Sequence, residues 1–181
     1  MIVFNDEEER AKTYRLFSGI FMVEPSDETI RSVSEALEMS IKETGFEIRM
    51  DYIQLFSNAA GQLLPYESLY NHEVWEVPKI WGRTTVEVSK IYRDTGLDIE
   101  EDIDIIPDHI SAELLFMSYL IENDKRDIQR LFLEEHICVW IPDFCDDITE
   151  FAQTSFYQEV ASLLKEFILI DCRDIKLKSF K

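Results

Sequence analysis

The chain has 181 residues, 46% of them apolar, and carries 37 acidic against 18 basic residues for a formal charge of -19. That length and composition can bury one substantial core, read as a single domain over 1–181, and they exclude a disordered chain. The charge repels phosphate backbones and anionic lipid and suits a basic peptide or a cation, although solubility is the commonest use of such a surplus.

The opening MIVFNDEEER lacks a basic segment followed by an apolar run. No apolar stretch approaches the roughly 18 residues that span a bilayer, so a cytoplasmic protein is expected. Cys138, Cys145 and Cys172 are too sparse for a disulfide scaffold. They read as small buried apolar residues in a reducing compartment.

Five glycines and five prolines fall between segments of helical periodicity. An all-α fold follows, a single globular bundle of about seven to nine helices. The first helix is predicted from about Asp6 to Val23, with Tyr14, Phe17 and Phe21 on one stripe, acids in its first turn and Pro25 beyond its end. Ile30, Val33, Leu37 and Ile41 then recur at helical spacing in a second helix that stops at Gly45. Residues 46–57 give a shorter helix with Phe46, Ile48, Tyr52, Leu55 and Phe56 as core candidates.

From Asn58 to Gly82 the periodicity fails, and this connection carries Tyr66, Tyr70, Trp75 and Trp81 among Glu67, Glu73 and Glu76. Long loops inside compact domains are uncommon and often functional. Its rings are either core plugs or the apolar floor of a peptide-binding surface with an anionic rim. Helix resumes from Arg83 to Thr95, closed by Gly96, and DIEEDID at 98–104 is an acidic connector.

Pro107 is predicted to open the next helix, through about Glu122. Another runs from about Lys125 to Trp140, with Ile128, Leu131, Phe132 and Ile137 inward and Pro142 interrupting it. The last, from about Ser155 to Ile170, has Ser155 and Gln158 at capping-box spacing and Phe156, Val160, Leu163, Leu164 and Phe167 on one face.

Pro107 and Asp108 have a structural use at a helix start, where the dipole favours an acid and a neutral imidazole at His109. His109 itself brings no special benefit as a helix former. His109 and Glu113, four apart, make at most half a metal site, and no second pair accompanies them. His136 and Cys138 are poorly spaced for one ion on a helix, and neither a phosphate loop nor a nucleophile elbow is present.

Taken together, DYIQLF at 51–56, PYESLY at 65–70, IYRDTGL at 91–97, PDHISAELLFM at 107–117 and HICVWIPDF at 136–144 resemble the TorD, DmsD and NarJ group of cytoplasmic molybdoenzyme maturation chaperones. The resemblance runs from the first helix to FYQEVASLLKEFI and implies an all-helical protein with no catalysis and no permanently bound cofactor. Its partner would be the catalytic subunit of a molybdopterin oxidoreductase, held by its twin-arginine signal or related leader until the cofactor, which belongs to the client, is inserted.

Carried over position by position, the peptide-binding residues would be Asp108, His109, Tyr66, Glu67, Ser68, Trp75 and Trp81, and Glu113, on the same helix face as His109, is counted with them as a peptide-binding candidate. A pair of cations followed by an apolar run needs an anionic entrance and an apolar groove. Asp108 at the mouth would select charge, His109 would orient it or the peptide backbone, and Trp75 or Trp81 would line the groove. The family's acidic residue before the proline is Ile106 here, and the glycine after its LF is replaced by Ser57 and Asn58. The readings that compete are a helical interaction domain without leader specificity and a metal carrier using His109 and Glu113. The long connection leaves segment exchange in a homodimer open.

Overall fold

A computed structural model describes residues 6–57, 61–71, 77–97 and 105–178. Among the described residues there are eight α-helices and no strand; one isolated bridge pairs Tyr66 with His109. The all-helical expectation holds. His72, Glu73, Trp75, Glu76 and the acidic connector at 98–104 lie outside the described residues.

Helix α1, Glu7–Met22, starts at Asp6, whose carboxylate accepts the Glu9 amide at 2.8 Å. Three acids in its first turn complement the dipole, and Tyr14, Phe17 and Phe21 are sealed in the core as their spacing predicts. Helix α2, Asp27–Ala36, ends well before Gly45; the positive φ falls at Glu38 (54°) instead. Gly45 is the first residue of α3, Gly45–Phe56, because Thr44 and Glu47 form a reciprocal capping box across it. Thr44 receives the Glu47 amide at 3.3 Å and gives its own amide to the Glu47 carboxylate at 2.7 Å. Phe46, expected inside, is 66% exposed on this first turn.

Helix α4, Arg83–Asp94, is closed as predicted by Gly96, which takes a φ of 85°. Helix α5 runs Ile110–Glu122 and α6 runs Arg126–Phe132; a single π turn, Leu133–Ile137, joins α6 to α7, Cys138–Phe151. Pro142 lies inside α7 rather than ending a helix. Its missing amide forfeits the bond to the Cys138 carbonyl, and the wide turn just upstream accommodates the break. Leu131, expected inward, is 42% exposed.

Helix α8, Ser155–Lys178, outlasts its predicted end. Its start is capped from far away: Asp51 of α3 accepts the Thr154 amide at 2.8 Å and hydroxyl at 2.6 Å, and Glu43 takes the Ser155 amide at 2.5 Å and hydroxyl at 2.9 Å. Ser155 therefore does not pair with Gln158, whose amide reaches the Ala152 carbonyl.

The core forms where α1 packs on α5 and α7 on α8. Ser18 of α1 bonds the Ser111 carbonyl at the start of α5, while Arg10 bonds Gln129, which in turn bonds the Leu120 carbonyl near its end, so α1 and α5 run antiparallel. Arg10 and Tyr14 both reach the buried Asp171 carboxylate, at 2.8 and 2.5 Å, and clasp α1 to α8. Tyr14 adds a bond to the same carboxylate, and Arg10 Nη1 bonds Glu7 and Gln129, which supports this buried ion pair, while the buried Arg10 Nη2 has no hydrogen-bond partner among the described residues. Phe167 stacks on Phe17 and meets Tyr14 edge-to-face.

The cysteines depart from the reduced set expected. Cys138 and Cys172 form a disulfide between α7 and α8, with Cα atoms 6.2 Å apart, and Cys145 alone is a buried free thiol. Helix packing brings the two together across 34 residues of sequence, which spacing alone does not reveal.

Candidate functional site

Two of the motifs are bound to each other. The Ile110 amide donates to the Pro65 carbonyl and the Glu67 amide to the Asp108 carbonyl, each at 2.9 Å, so PYESLY lies antiparallel to PDHIS. The Asp108 carboxylate then accepts the Ser68 amide at 2.9 Å and caps the short 3-10 turn Glu67–Leu69. Asp108 is therefore 0% exposed. It does not stand at a mouth, and no incoming arginine can reach it; the expected charge-selecting role is corrected on that ground.

Glu67, Ser68 and Glu113 are sealed behind the same wall. Glu67 meets the ring of buried His136 at 3.0 Å and takes the Asn71 amide at 2.6 Å, and Glu113 accepts the Trp140 indole N–H at 2.9 Å. Burial first, and the nearby Glu67 charge second, push the Glu113 carboxyl well above the carboxylate range. Burial and the charges of Glu113, Glu67 and Asp108 raise the Tyr92 hydroxyl too, which donates to the Pro107 carbonyl at 2.9 Å. Four motifs thus converge on one buried polar knot. It joins the loop at 65–70 to α4, α5 and α7 and sets the position of everything in front of it.

In front lies a cavity of about 970 Å³. Its wall is aromatic: Tyr52 and Phe56 of α3, Tyr66, Tyr92 of α4, and Phe116 and Tyr119 of α5. Ring pairs tie these together, Tyr92 to Phe116 at 4.5 Å and Tyr52 to Phe56 at 5.4 Å between centroids. Met22 and Val23 at the end of α1 and Leu115 of α5 also line it, and are among the exposed large apolar side chains. A cavity of this size is at the upper end of ligand pockets, and its apolar wall suits a chain segment or other apolar group.

His109 is where the knot meets the groove. It is not inside a helix that opens at Pro107, as expected, but is the N-cap of α5. Its ring Nδ1 accepts the Ser111 amide at 3.2 Å and sits 2.7 Å from the Ser111 hydroxyl. That cap explains a histidine at this position, since a neutral ring supplies the acceptor a helix start needs. Burial depresses its pKa to about 4 against the opposing Asp108 charge, so the ring is neutral at physiological pH. It packs edge-to-face on Tyr66, centroids 5.2 Å apart.

Of the predicted residues, His109 and Tyr66 line the groove, while Asp108, Glu67, Ser68 and Glu113 stand behind it. His109 and Glu113 therefore face different surroundings and share no metal site; among the described residues no cluster is arranged to hold an ion. Trp81 does not line the groove but is 65% exposed with a φ of 63°, and Trp75 lies outside the described residues. Missed were Tyr52, Phe56, Phe116 and Tyr119, and the rim charges Arg15, Glu24 and Glu122. For Phe116 and Tyr119 a signal was present: α5 carries apolar residues around most of its circumference, more than a helix with only one buried side requires.

The architecture is an all-helical protein with an aromatic-walled groove in front of a buried polar knot. A solved structure from Archaeoglobus fulgidus, provisionally described as a redox enzyme maturation protein, has the same fold, with a TM-score of 0.61 over 93% of this chain and 96% of that one at 20% identity. Relatives named chaperone protein TorD from Vibrio parahaemolyticus and Shewanella loihica are 25% and 23% identical, covering 91% and 90% of this chain and 93% and 91% of their own. The family described as nitrate reductase delta subunit matches residues 22–146. The chain belongs to that family, the TorD and NarJ group that its motifs resemble, and is a molybdoenzyme maturation chaperone rather than an enzyme. Among the described residues no helix is long and apolar enough to cross a membrane.

Proposed function

We propose that this chaperone binds the N-terminal twin-arginine signal, or a related leader, of the catalytic subunit of a molybdopterin oxidoreductase in the cytoplasm, and holds it until the cofactor is inserted. The observation that carries the reading is the aromatic-walled cavity of about 970 Å³ with Glu24 and Glu122 on its lining, in a chain of net charge -19. The apolar run of a leader would lie against Phe56, Tyr92 and Phe116 and the cations at the acidic margin. Apolar burial at about 25 cal/mol per Å² supplies most of the affinity, set against association costs of roughly 4–15 kcal/mol. Tyr66 and His109 contribute one wall of the groove, and Asp108, Glu67, Ser68 and Glu113 hold that wall in place.

The test is calorimetric titration with leader peptides carrying Arg-Arg or Lys-Lys before the same apolar run, on wild type and on Ala112→Phe. Ala112 lines the groove, and a ring there occupies the space of the apolar run. Binding of the Arg-Arg peptide, weaker binding of Lys-Lys, and loss in the filled variant are expected. Equal binding of both peptides favours a general interaction domain, and full retention in Ala112→Phe removes the groove from the reading.

A further inference from the structure

With Asp108 sealed, the charged side chains among the described lining residues are Arg15, Glu24 and Glu122, His109 being neutral. Arg15 comes from α1 and Glu122 from the last turn of α5. A single guanidinium nitrogen of Arg15, Nη2, bridges both Glu122 oxygens at 2.6 and 2.8 Å. The two side chains are 57% and 43% exposed.

Three properties of this pair matter. It sits on the lining of the apolar groove, within reach of a chain segment that fills it. Its exposure makes it weak, since solvated pairs hold together by little. And its geometry leaves it unsaturated, because one shared nitrogen does not use the parallel two-bond match that a guanidinium and a carboxylate can make. An incoming arginine can supply that match. The other lining carboxylate, Glu24, is differently placed: the nearby Arg49 is 3.9 Å from it but 2.5 Å from Asp27, so no strong internal cation stands in its way.

We infer that Arg15 is an internal stand-in for a cation of the ligand: it holds Glu122 in the empty groove and is displaced when an arginine side chain of a bound leader takes its place. This rests on the leader-binding reading above and goes further by naming the carboxylate that selects the cation and the residue that competes for it. Glu122 is the specificity-determining group, and Arg15 sets a threshold that apolar peptides without a cation, or with a more strongly hydrated ammonium, do not pass. The stand-in also gives the empty rim a defined charge state.

The consequence is a sign that a purely structural ion pair does not give. Arg15→Gln frees Glu122 and tightens the Arg-Arg peptide, by about two- to five-fold for an exposed pair. Glu122→Gln weakens it by a similar or larger factor and narrows the gap between Arg-Arg and Lys-Lys. Arg15→Gln in the Glu122→Gln background changes nothing further, because the group it competed for is gone.

The experiment is a calorimetric cycle of wild type, both single variants and the double variant, each titrated with the Arg-Arg and Lys-Lys leader peptides at one fixed ionic strength, with thermal unfolding to confirm each variant folds. Tightening by Arg15→Gln that disappears in the double variant, with reduced discrimination in Glu122→Gln, supports the exchange. Weaker or unchanged binding in Arg15→Gln overturns it. So does tightening of equal size in both backgrounds, which reports only the general increase in negative charge. Wild type that binds neither peptide refutes the leader reading itself, a result distinct from wild type that binds while Arg15→Gln has no effect.

Discussion

Asp108 offers the sharpest test of how the groove is built. Asp108→Ala removes the acceptor of the Ser68 amide, which is 4% exposed and held by a 2.9 Å bond to the carboxylate. A hydrogen bond to a charged group contributes about 1.5–3 kcal/mol, and the stranded donor has no water to turn to. Relief of repulsion from the nearby Glu67 carboxylate offsets part of this, leaving a loss of about 2 kcal/mol. For a chain of this length each kcal/mol moves the midpoint by about 2–4 °C, so a fall of about 4–8 °C is expected in a circular-dichroism melt. Asp108→Asn keeps an oxygen for Ser68 and should melt within about 2 °C of wild type. In peptide titrations it should also match wild type within about two-fold, because the side chain lies behind the groove wall. An Asp108→Asn protein that melts normally yet loses ten-fold or more in leader affinity would show that the carboxylate meets the peptide, and would refute its assignment as a cap.

Acid sensitivity should centre on His109 and Glu113, with opposite signs. The folded pKa of His109 lies near 4, below its usual 6.5, so between those values the unfolded chain binds the extra proton and stability falls on acidification, by up to about 3 kcal/mol. His109→Asn, which keeps a capping acceptor, should flatten denaturant-derived stability across pH 6.5 to about 4; an unchanged slope counts against the buried neutral ring. For Glu113 the raised folded pKa means that stability falls as pH rises above its ordinary 4.5, and Glu113→Gln should remove that decline. Reductant should destabilise the oxidised protein by about 4 kcal/mol on the chain-entropy estimate for a 34-residue separation, and thiol counting in denaturant should find one free thiol without reductant and three with it. Three thiols in the untreated protein refute the bridge. Phe167→Ala, which empties a fully buried site between Tyr14 and Phe17, should cost about 3–5 kcal/mol in urea unfolding, and a loss below about 1 kcal/mol refutes that packing.

Helix positions and the inward stripes of α1 and α8 could be read from spacing because burial on one face imposes a period. Boundaries failed where two local signals competed. At Gly45 a stop signal sat inside Thr44-to-Glu47 capping spacing, and the capping box won because it satisfies two amides. The motif residues were found, but their roles were misassigned for a physical reason. A carboxylate that caps a turn 40 residues away and one that meets a ligand look the same in sequence, since only the partner distinguishes them. The rim pair Arg15 and Glu122, 107 residues apart, has no local signature at all. The same is true of the Cys138–Cys172 bridge.

The antiparallel contact of α1 with α5 has a consequence for timing during synthesis. One rim of the groove is contributed by residues 15–24 and the opposite wall by residues 109–122, so no ribosome-bound fragment shorter than this can present the finished surface. If clients bind in this groove as proposed, a nascent chain stays unable to engage one until well over half of it has emerged, and an occupant that bridges both walls then acts as a brace, raising the unfolding free energy by about 2.7 kcal/mol at a hundredfold excess over Kd.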